Sequence, residues 1–234
     1  MQYKKYRKEE NLFLVEGVKS VLELIKSDFT IKKIFYTEIF EKKYTIPTSI
    51  SSEMVSIEDL KGISFLENNQ EVLAVVEQKS NKELVDYSNE LLIALDNLQD
   101  PGNLGTIIRV ADWYGIKKVI CSRETVDFYN PKVIAASMGS FMRVEVFYAD
   151  LNFFLKNAFE KGEDIYGTLL NGDNIYKTPL RKKGIVVMGN EAKGISEELL
   201  PYITQKITIP RVGGAESLNV GIATAVVIDN FFRN

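Results

Sequence analysis

No histidine occurs anywhere in the 234 residues. That excludes a serine–histidine–aspartate triad, a cysteine–histidine dyad, a histidine general base and every histidine metal ligand. Cysteine occurs once, as Cys121. Disulfides within the chain and cysteine-built zinc or iron–sulfur centres are therefore excluded, no metal is expected, and the scarcity suits a reducing cytoplasm. Uninterrupted apolar stretches of about 18 residues are missing, so no membrane span is expected. The first ten residues are polar and charged, unlike a secretory leader. The usual nucleotide signatures are absent as well: no G-x-G-x-x-G after a strand, no G-x-x-x-x-G-K-[ST], and no glycine pattern of the ordinary Rossmann methyltransferases. Chemistry is left to Arg, Lys, Asp, Glu, Ser, Thr, Tyr, Asn and backbone groups, or to a cofactor with its own reactivity.

What is present describes a globular protein, with 45% hydrophobic and 26% charged residues. A net charge of −3 gives no bulk sign of nucleic acid. Two local runs are basic, Lys4, Lys5, Arg7 and Lys8 at the start and Arg181, Lys182 and Lys183 further on, each readable as solvated surface or as a phosphate-binding patch.

Hydrophobic periodicity divides the chain. Residues 1–80 read as a small α/β unit, with strands at 12–15, 31–36 and 72–76, a helix marked by Val18, Val21, Leu22 and Ile25, and a helical turn capped by Ser56. A polar stretch, 81–89, is the expected linker. From residue 90 to 234, strands at 91–95, 118–121, 144–147, 165–170, 185–188 and 207–210 alternate with helices at 104–114, 131–138 and 151–161, and further helices start at Ser196 and near Leu218. This alternation predicts a parallel sheet with helices on both faces. The last helix carries Val220, Ile222, Ala223, Ala225, Val226, Val227, Ile228, Phe231 and Phe232 and has almost no polar face, which predicts cover from a second copy of the chain as well as from the sheet.

Three turn-rich segments each follow a strand, and in a parallel sheet such segments share the carboxyl edge where ligands bind. The first runs from Asp96 to Arg109. Asn103 reads either as a helix cap or as a site residue, and Arg109 either as an ion-pair partner of Asp112 or as a bidentate phosphate grip. The second runs from Gly184 to Ser196, with Ser196 as an expected cap and Glu191 between glycines as a backbone acceptor or a site carboxylate. The third runs from Ile209 to Gly221. Ser217 reads as an N-cap, and Asn219, an amide at the start of an apolar helix, needs partners that a ligand could supply.

Together the three segments resemble the motifs of the SpoU family of RNA 2′-O-ribose methyltransferases in the SPOUT superfamily. Asp100, Pro101, Asn103, Gly105 and Arg109 match the first motif; Gly189, Asn190, Glu191 and Gly194 the second; Ile209, Pro210, Ser217, Leu218, Asn219 and Val220 the third. Phe13 to Leu24 and Gln70 to Val76 resemble the family's small L30e-like substrate-binding domain. Arg211 and Gly221 depart from the pattern, standing where methionine and a serine or alanine are common.

The resemblance implies a deep trefoil knot in the C-terminal α/β domain, an obligate homodimer, and S-adenosylmethionine as cofactor. It implies that Thr168, Leu169, Gly189, Asn190, Ile209 and Leu218 hold the cofactor. Asn103, Arg109, Glu191, Ser217 and Asn219 form the implied catalytic set, with Arg109 seated on the phosphate beside the target ribose. RNA, ribosomal more than transfer, is the implied partner, held by Lys4, Lys5, Arg7, Lys8 and Arg109. The competing readings are a non-catalytic RNA-binding or assembly factor of the same fold, and a SPOUT methyltransferase acting on tRNA or on a base.

Overall fold

The computed structural model describes residues 3–66, 69–81 and 89–233. Most of the expected linker, 82–88, lies outside the described residues. In chain order the elements begin with α1 (Lys4–Glu10), β1 (Leu12–Glu16), α2 (Val18–Leu24), β2 (Ile31–Tyr36), α3 (Glu38–Glu41), β3 (Ser52–Met54), α4 (Ile57–Ile63) and β4 (Val72–Glu77). They continue with β5 (Leu91–Leu95), α5 (Pro101–Trp113), β6 (Lys118–Ser122), α6 (Pro131–Ala136), β7 (Glu145–Ala149), α7 (Leu151–Glu160), β8 (Ile165–Asn174), β9 (Gly184–Met188), β10 (Gln205–Thr208) and α8 (Val220–Phe232).

The chain forms two compact units: Met1–Ser80 with Asp127–Met142, and Asn81–Val126 with Arg143–Asn234. The smaller unit holds a four-stranded sheet ordered β1-β4-β2-β3, antiparallel except for the parallel β2–β3 pair. The late segment 127–142 joins it through aromatic packing. The Phe13 ring lies 4.6 Å from Tyr129 and 6.0 Å from Phe141, and Phe29 lies 5.7 Å from Phe141. Tyr129 also ties down the end of the sheet, since its hydroxyl accepts from the Lys79 N–H at 2.8 Å and donates to the Lys79 carbonyl at 3.2 Å.

The first basic run becomes α1, a helix that no apolar periodicity announces. Arg7 is its anchor. The guanidinium is only 2% exposed and reaches Asp127 Oδ2 at 2.6 Å, while Gln78 Nε2 donates to the Arg7 carbonyl at 2.9 Å. This corrects the expectation that Arg7 contacts RNA: a buried charge held by a carboxylate is a structural pair, not a surface cation.

The larger unit holds a six-stranded, wholly parallel sheet ordered β10-β8-β9-β5-β6-β7. Its strands β5, β6 and β9 are buried almost throughout, as strands covered by helices on both sides require. One face packs Leu92, Ala94, Ile120, Ile185 and Val187 against Leu151, Leu155 and Ala158 of α7. The other side is covered by α5 and α8. These two helices run alongside each other, with Gly221 of α8 so close to Thr106 that a Cβ there would sit 3.1 Å from the threonine methyl, and the Tyr114 hydroxyl donating to Asp229 Oδ1 at 2.9 Å.

Helix starts differ from the sequence reading in three places. Asp100, not Asn103, caps α5, because Pro101 occupies the first helical position and the Asp100 carboxylate accepts the Asn103 N–H at 2.8 Å. Asn219, not Ser217, caps α8 by accepting from Gly221 N at 3.0 Å and Ile222 N at 3.2 Å. After Ser196 comes a 3-10 turn, Glu197–Tyr202, rather than an α-helix. It contains Pro201, and Ser196 makes no side-chain cap. Among the described residues no helix is long and apolar enough to cross a membrane.

Candidate active site

Strand order reverses beside β5. From β5 the chain builds toward β6 and β7, then crosses to β8 and returns to place β9 against the other edge of β5. Such a switch point leaves a crevice outside the carboxyl ends of the two strands, because the connections leave in opposite directions. The segments after β5 and β9 meet there.

The two segments are stitched together. Asp96, buried directly after β5, donates its N–H to the Met188 carbonyl at 2.9 Å and accepts the Ser196 N–H on Oδ2 at 2.7 Å. Asn97 takes a left-handed φ of 52° and accepts the Asn190 amide on its carbonyl at 2.7 Å. Asn190 is fully used within its own turn as well, since its Oδ1 accepts from Ala192 N at 2.9 Å and Lys193 N at 3.2 Å. The turn closes through paired backbone bonds between Asn190 and Gly194, both 2.9 Å. Gly189 is demanded by that closure: a Cβ there would lie 2.2 Å from the Gly194 carbonyl carbon. Sequence reasoning overlooked Asp96 and Asn97. A carboxylate at the end of an all-apolar strand, followed by an asparagine able to turn left-handed, is the signal that marks them.

The third segment reaches the same place through side chains. Asn219 Nδ2 donates to Asn103 Oδ1 at 2.8 Å, and Asn103 Nδ2 donates to Glu191 Oε1 at 3.1 Å. Glu191 Oε1 also accepts the Asp100 N–H at 3.4 Å. One chain of hydrogen bonds thus runs through all three motifs. It supplies the partners Asn219 needs, so no ligand is required to satisfy that amide. Each bond fixes a group that could face a ligand: the Glu191 carboxylate is exposed and, among the described residues, held by one of its oxygens.

Arg109 and Ser217 stand outside this chain. Both are exposed, and neither side chain makes a hydrogen bond or ion pair among the described residues. The Arg109–Asp112 pair anticipated from their spacing does not form. Asp112 is taken by Arg143, with Nη2 at 2.8 Å and Nε at 2.9 Å. Arg109 lies on the outward stripe of α5 with Thr106 and Trp113, roughly a third of a turn round the helix from Asn103.

The residues expected to hold a cofactor line the same edge. Thr168 donates its hydroxyl to the Val187 carbonyl at 2.9 Å, and Leu169 and Ile209 are half-buried. Leu218 leaves 51% of its surface uncovered. Arg211 curls back to donate to the Ala215 carbonyl at 3.2 Å, spanning Gly213 and Gly214. Cys121 is buried in the sheet, where desolvation pushes its thiol far up, so it is no nucleophile. In the second basic run Arg181 and Lys182 are exposed, with Lys182 over the Phe232 ring at 5.5 Å, and Lys183 pairs with Glu163 at 3.8 Å. Among the described residues no group of three or more acidic or cysteine side chains is placed to hold a metal.

Residues 90–229 match the model of the SpoU rRNA methylase family, and residues 1–74 match an MRM3-like substrate-binding domain. A relative in Bacillus subtilis, the 23S rRNA (guanosine(2553)-2′-O)-methyltransferase RlmP, is 33% identical over 96% of this chain and 90% of its own. Among solved structures, an AdoMet-bound rRNA methyltransferase from Sinorhizobium meliloti superposes with a TM-score of 0.87 at 30% identity, covering 99% of this chain and 91% of that one. The methyltransferase AviRb from Streptomyces viridochromogenes, solved with AdoMet, superposes at 0.84 over 99% and 93% of the chains. At 21% identity it attests the fold alone.

Proposed function

The chain belongs to the SpoU rRNA methylase family, and on that premise we propose that it methylates a ribose 2′-hydroxyl of ribosomal RNA with S-adenosylmethionine as the methyl donor. The observation that carries the reading is the hydrogen-bonded chain Asn219–Asn103–Glu191, which joins the three motifs at the switch point of the parallel sheet.

The residues present suit the cofactor. Leu169, Ile209 and the half-uncovered Leu218 offer apolar contacts for an adenine ring beside backbone groups at the strand ends. When bound, S-adenosylmethionine supplies a sulfonium methyl group as the electrophile, which is why a protein without histidine suffices. The protein's task is alignment, a contribution that can reach several kcal/mol. Arg109, with no carboxylate partner among the described residues, grips the phosphate next to the target ribose by two parallel hydrogen bonds. Positioning is favoured over proton abstraction, because a guanidinium offers only N–H donors and no acceptor for a proton. Glu191, held by the Asn103 amide and the Asp100 N–H, and Ser217, with no protein partner among the described residues, orient the nucleotide and cofactor.

The enzyme acts as a homodimer in the cytoplasm. Supporting the dimer, α5 and α8 each leave apolar side chains outward, Trp113 with 84% of its surface uncovered and Ile222 near the Thr106–Gly221 crossing. The smaller unit binds RNA, and the larger carries the methyl transfer. Threading of the chain from β9 to α8 into a trefoil knot completes the reading. The ties from Ser196 to Asp96 and from Asn190 to Asn97 support it.

The decisive experiment is incubation of the protein with methyl-labelled S-adenosylmethionine and undermethylated ribosomal RNA, followed by alkaline hydrolysis. Label recovered in an alkali-resistant dinucleotide is the expected result, since a 2′-O-methyl group blocks cleavage at the neighbouring phosphodiester. Label recovered only in mononucleotides points to base methylation and overturns the assignment.

A further inference from the structure

Two tyrosines on α1 have no place in the site above. Tyr3, the N-cap of α1, is 66% exposed and Tyr6, in its first turn, 51%. The helix is pinned firmly: Arg7 is buried against Asp127 and its carbonyl is held by Gln78. The rings contact each other edge to face, centroids 6.2 Å apart at 73°. On the opposite flank, Lys4 and Lys8 lie one turn apart, exposed and without an ion pair among the described residues. Lys5 is engaged with Glu9 at 3.8 Å, and Glu10 lies at the far end of the helix.

We infer that α1 is a stacking platform for an unpaired RNA base, with Lys4 and Lys8 on the adjoining phosphates. The inference rests on the RNA substrate proposed above and names the form of RNA the smaller unit takes. At 6.2 Å and nearly perpendicular, the rings leave no slot for a base to slide between them. A base therefore stacks on an outer ring face, and the second ring braces the first. Only an unpaired base offers a free face, since a duplex hides its faces in its own stack. Lysine pairs on the far flank suit the phosphates of a strand crossing the helix, whose diameter of about 10–12 Å a single strand spans in two nucleotides.

The test uses the full chain and fluorescence anisotropy with a labelled single-stranded heptaadenylate and a duplex of the same length. Tyr3→Ala/Tyr6→Ala should weaken binding of the single strand about five- to a hundredfold, while Tyr3→Phe/Tyr6→Phe keeps it and duplex binding is unmoved. Lys4→Gln/Lys8→Gln should flatten the salt dependence by about 1.4 in the logarithmic slope, two contacts at roughly 0.7 each. Single-strand affinity unchanged in the alanine variant, with the wild type binding, overturns the platform alone. Equal weakening toward strand and duplex does the same. A wild type that binds S-adenosylmethionine but no RNA overturns the RNA reading and the platform with it.

Discussion

Asn103 is the residue through which the site coheres. It is buried, donates to Glu191 and accepts from Asn219. Truncating it removes both bonds, but Glu191 and Asn219 are exposed to water and Glu191 keeps the Asp100 N–H, so Asn103→Ala should lower unfolding stability by about 1–2 kcal/mol in urea titration and reduce methyl transfer together with it. Arg109 is the converse case. Exposed and without a side-chain partner among the described residues, it is dispensable for the fold: Arg109→Ala should change stability by less than about 0.5 kcal/mol. If the guanidinium takes part in proton transfer, single-turnover methylation at saturating RNA should fall by about 10²–10⁴. A near-normal rate would remove that role and leave phosphate binding alone. Leu218 tests the cofactor pocket better than Gly189 does, because any side chain at position 189 breaks the turn before it blocks a ligand. Leu218→Glu should abolish S-adenosylmethionine binding in calorimetry with an unshifted melting temperature, and full binding would move the pocket elsewhere. The roles of Asn103, Glu191 and Arg109 were visible as candidates from residue type and spacing. Which of them touch one another was not, because hydrogen bonds across 88 and 116 residues leave no local pattern.

Among the elements, α1 and the late segment 127–142 depend on each other. The Arg7–Asp127 pair joins them, and breaking a buried pair from one side typically costs about 3–5 kcal/mol. Arg7→Ala should therefore destabilise the protein by several kcal/mol, roughly that figure, in chemical denaturation. Tyr129 adds a pH signature. Burial pushes its phenol up to about 12. An unfolded tyrosine titrates near 10, so its contribution is complete below that pH and is lost as pH rises through about 12. Stability should fall between these values in the wild type, and more gently in Tyr129→Phe. Strands and most helices were legible from periodicity alone. Ser56 caps α4 as its position predicts, but the caps of α5 and α8 were not legible, because Asp100 and Asn219 rather than Asn103 and Ser217 reach the free N–H groups, offsets of three and two residues.

At the scale of the whole molecule, the proposed dimer is the feature most open to measurement. Trp113→Glu places a charge on the outward stripe of α5 and should convert the dimer to monomer in sedimentation velocity, while the melting behaviour of the smaller unit persists. A wild type that sediments as a monomer across micromolar concentrations would contradict the proposal directly. What the sequence determined unaided was the alternation of strands and helices, the exclusion of histidine and disulfide chemistry, and three motifs in order. Each of these is local, carried by period, composition or short spacing. Only the tertiary structure decided that Arg7 is a buried anchor, that 127–142 packs with the first 80 residues, and that Asn103, Glu191 and Asn219 form one hydrogen-bonded chain. The physical reason is the same in each case. Burial and pairing across a hundred residues are set by strand order and by which side chain arrives at which carboxylate, and neither is written in the neighbourhood of any one residue.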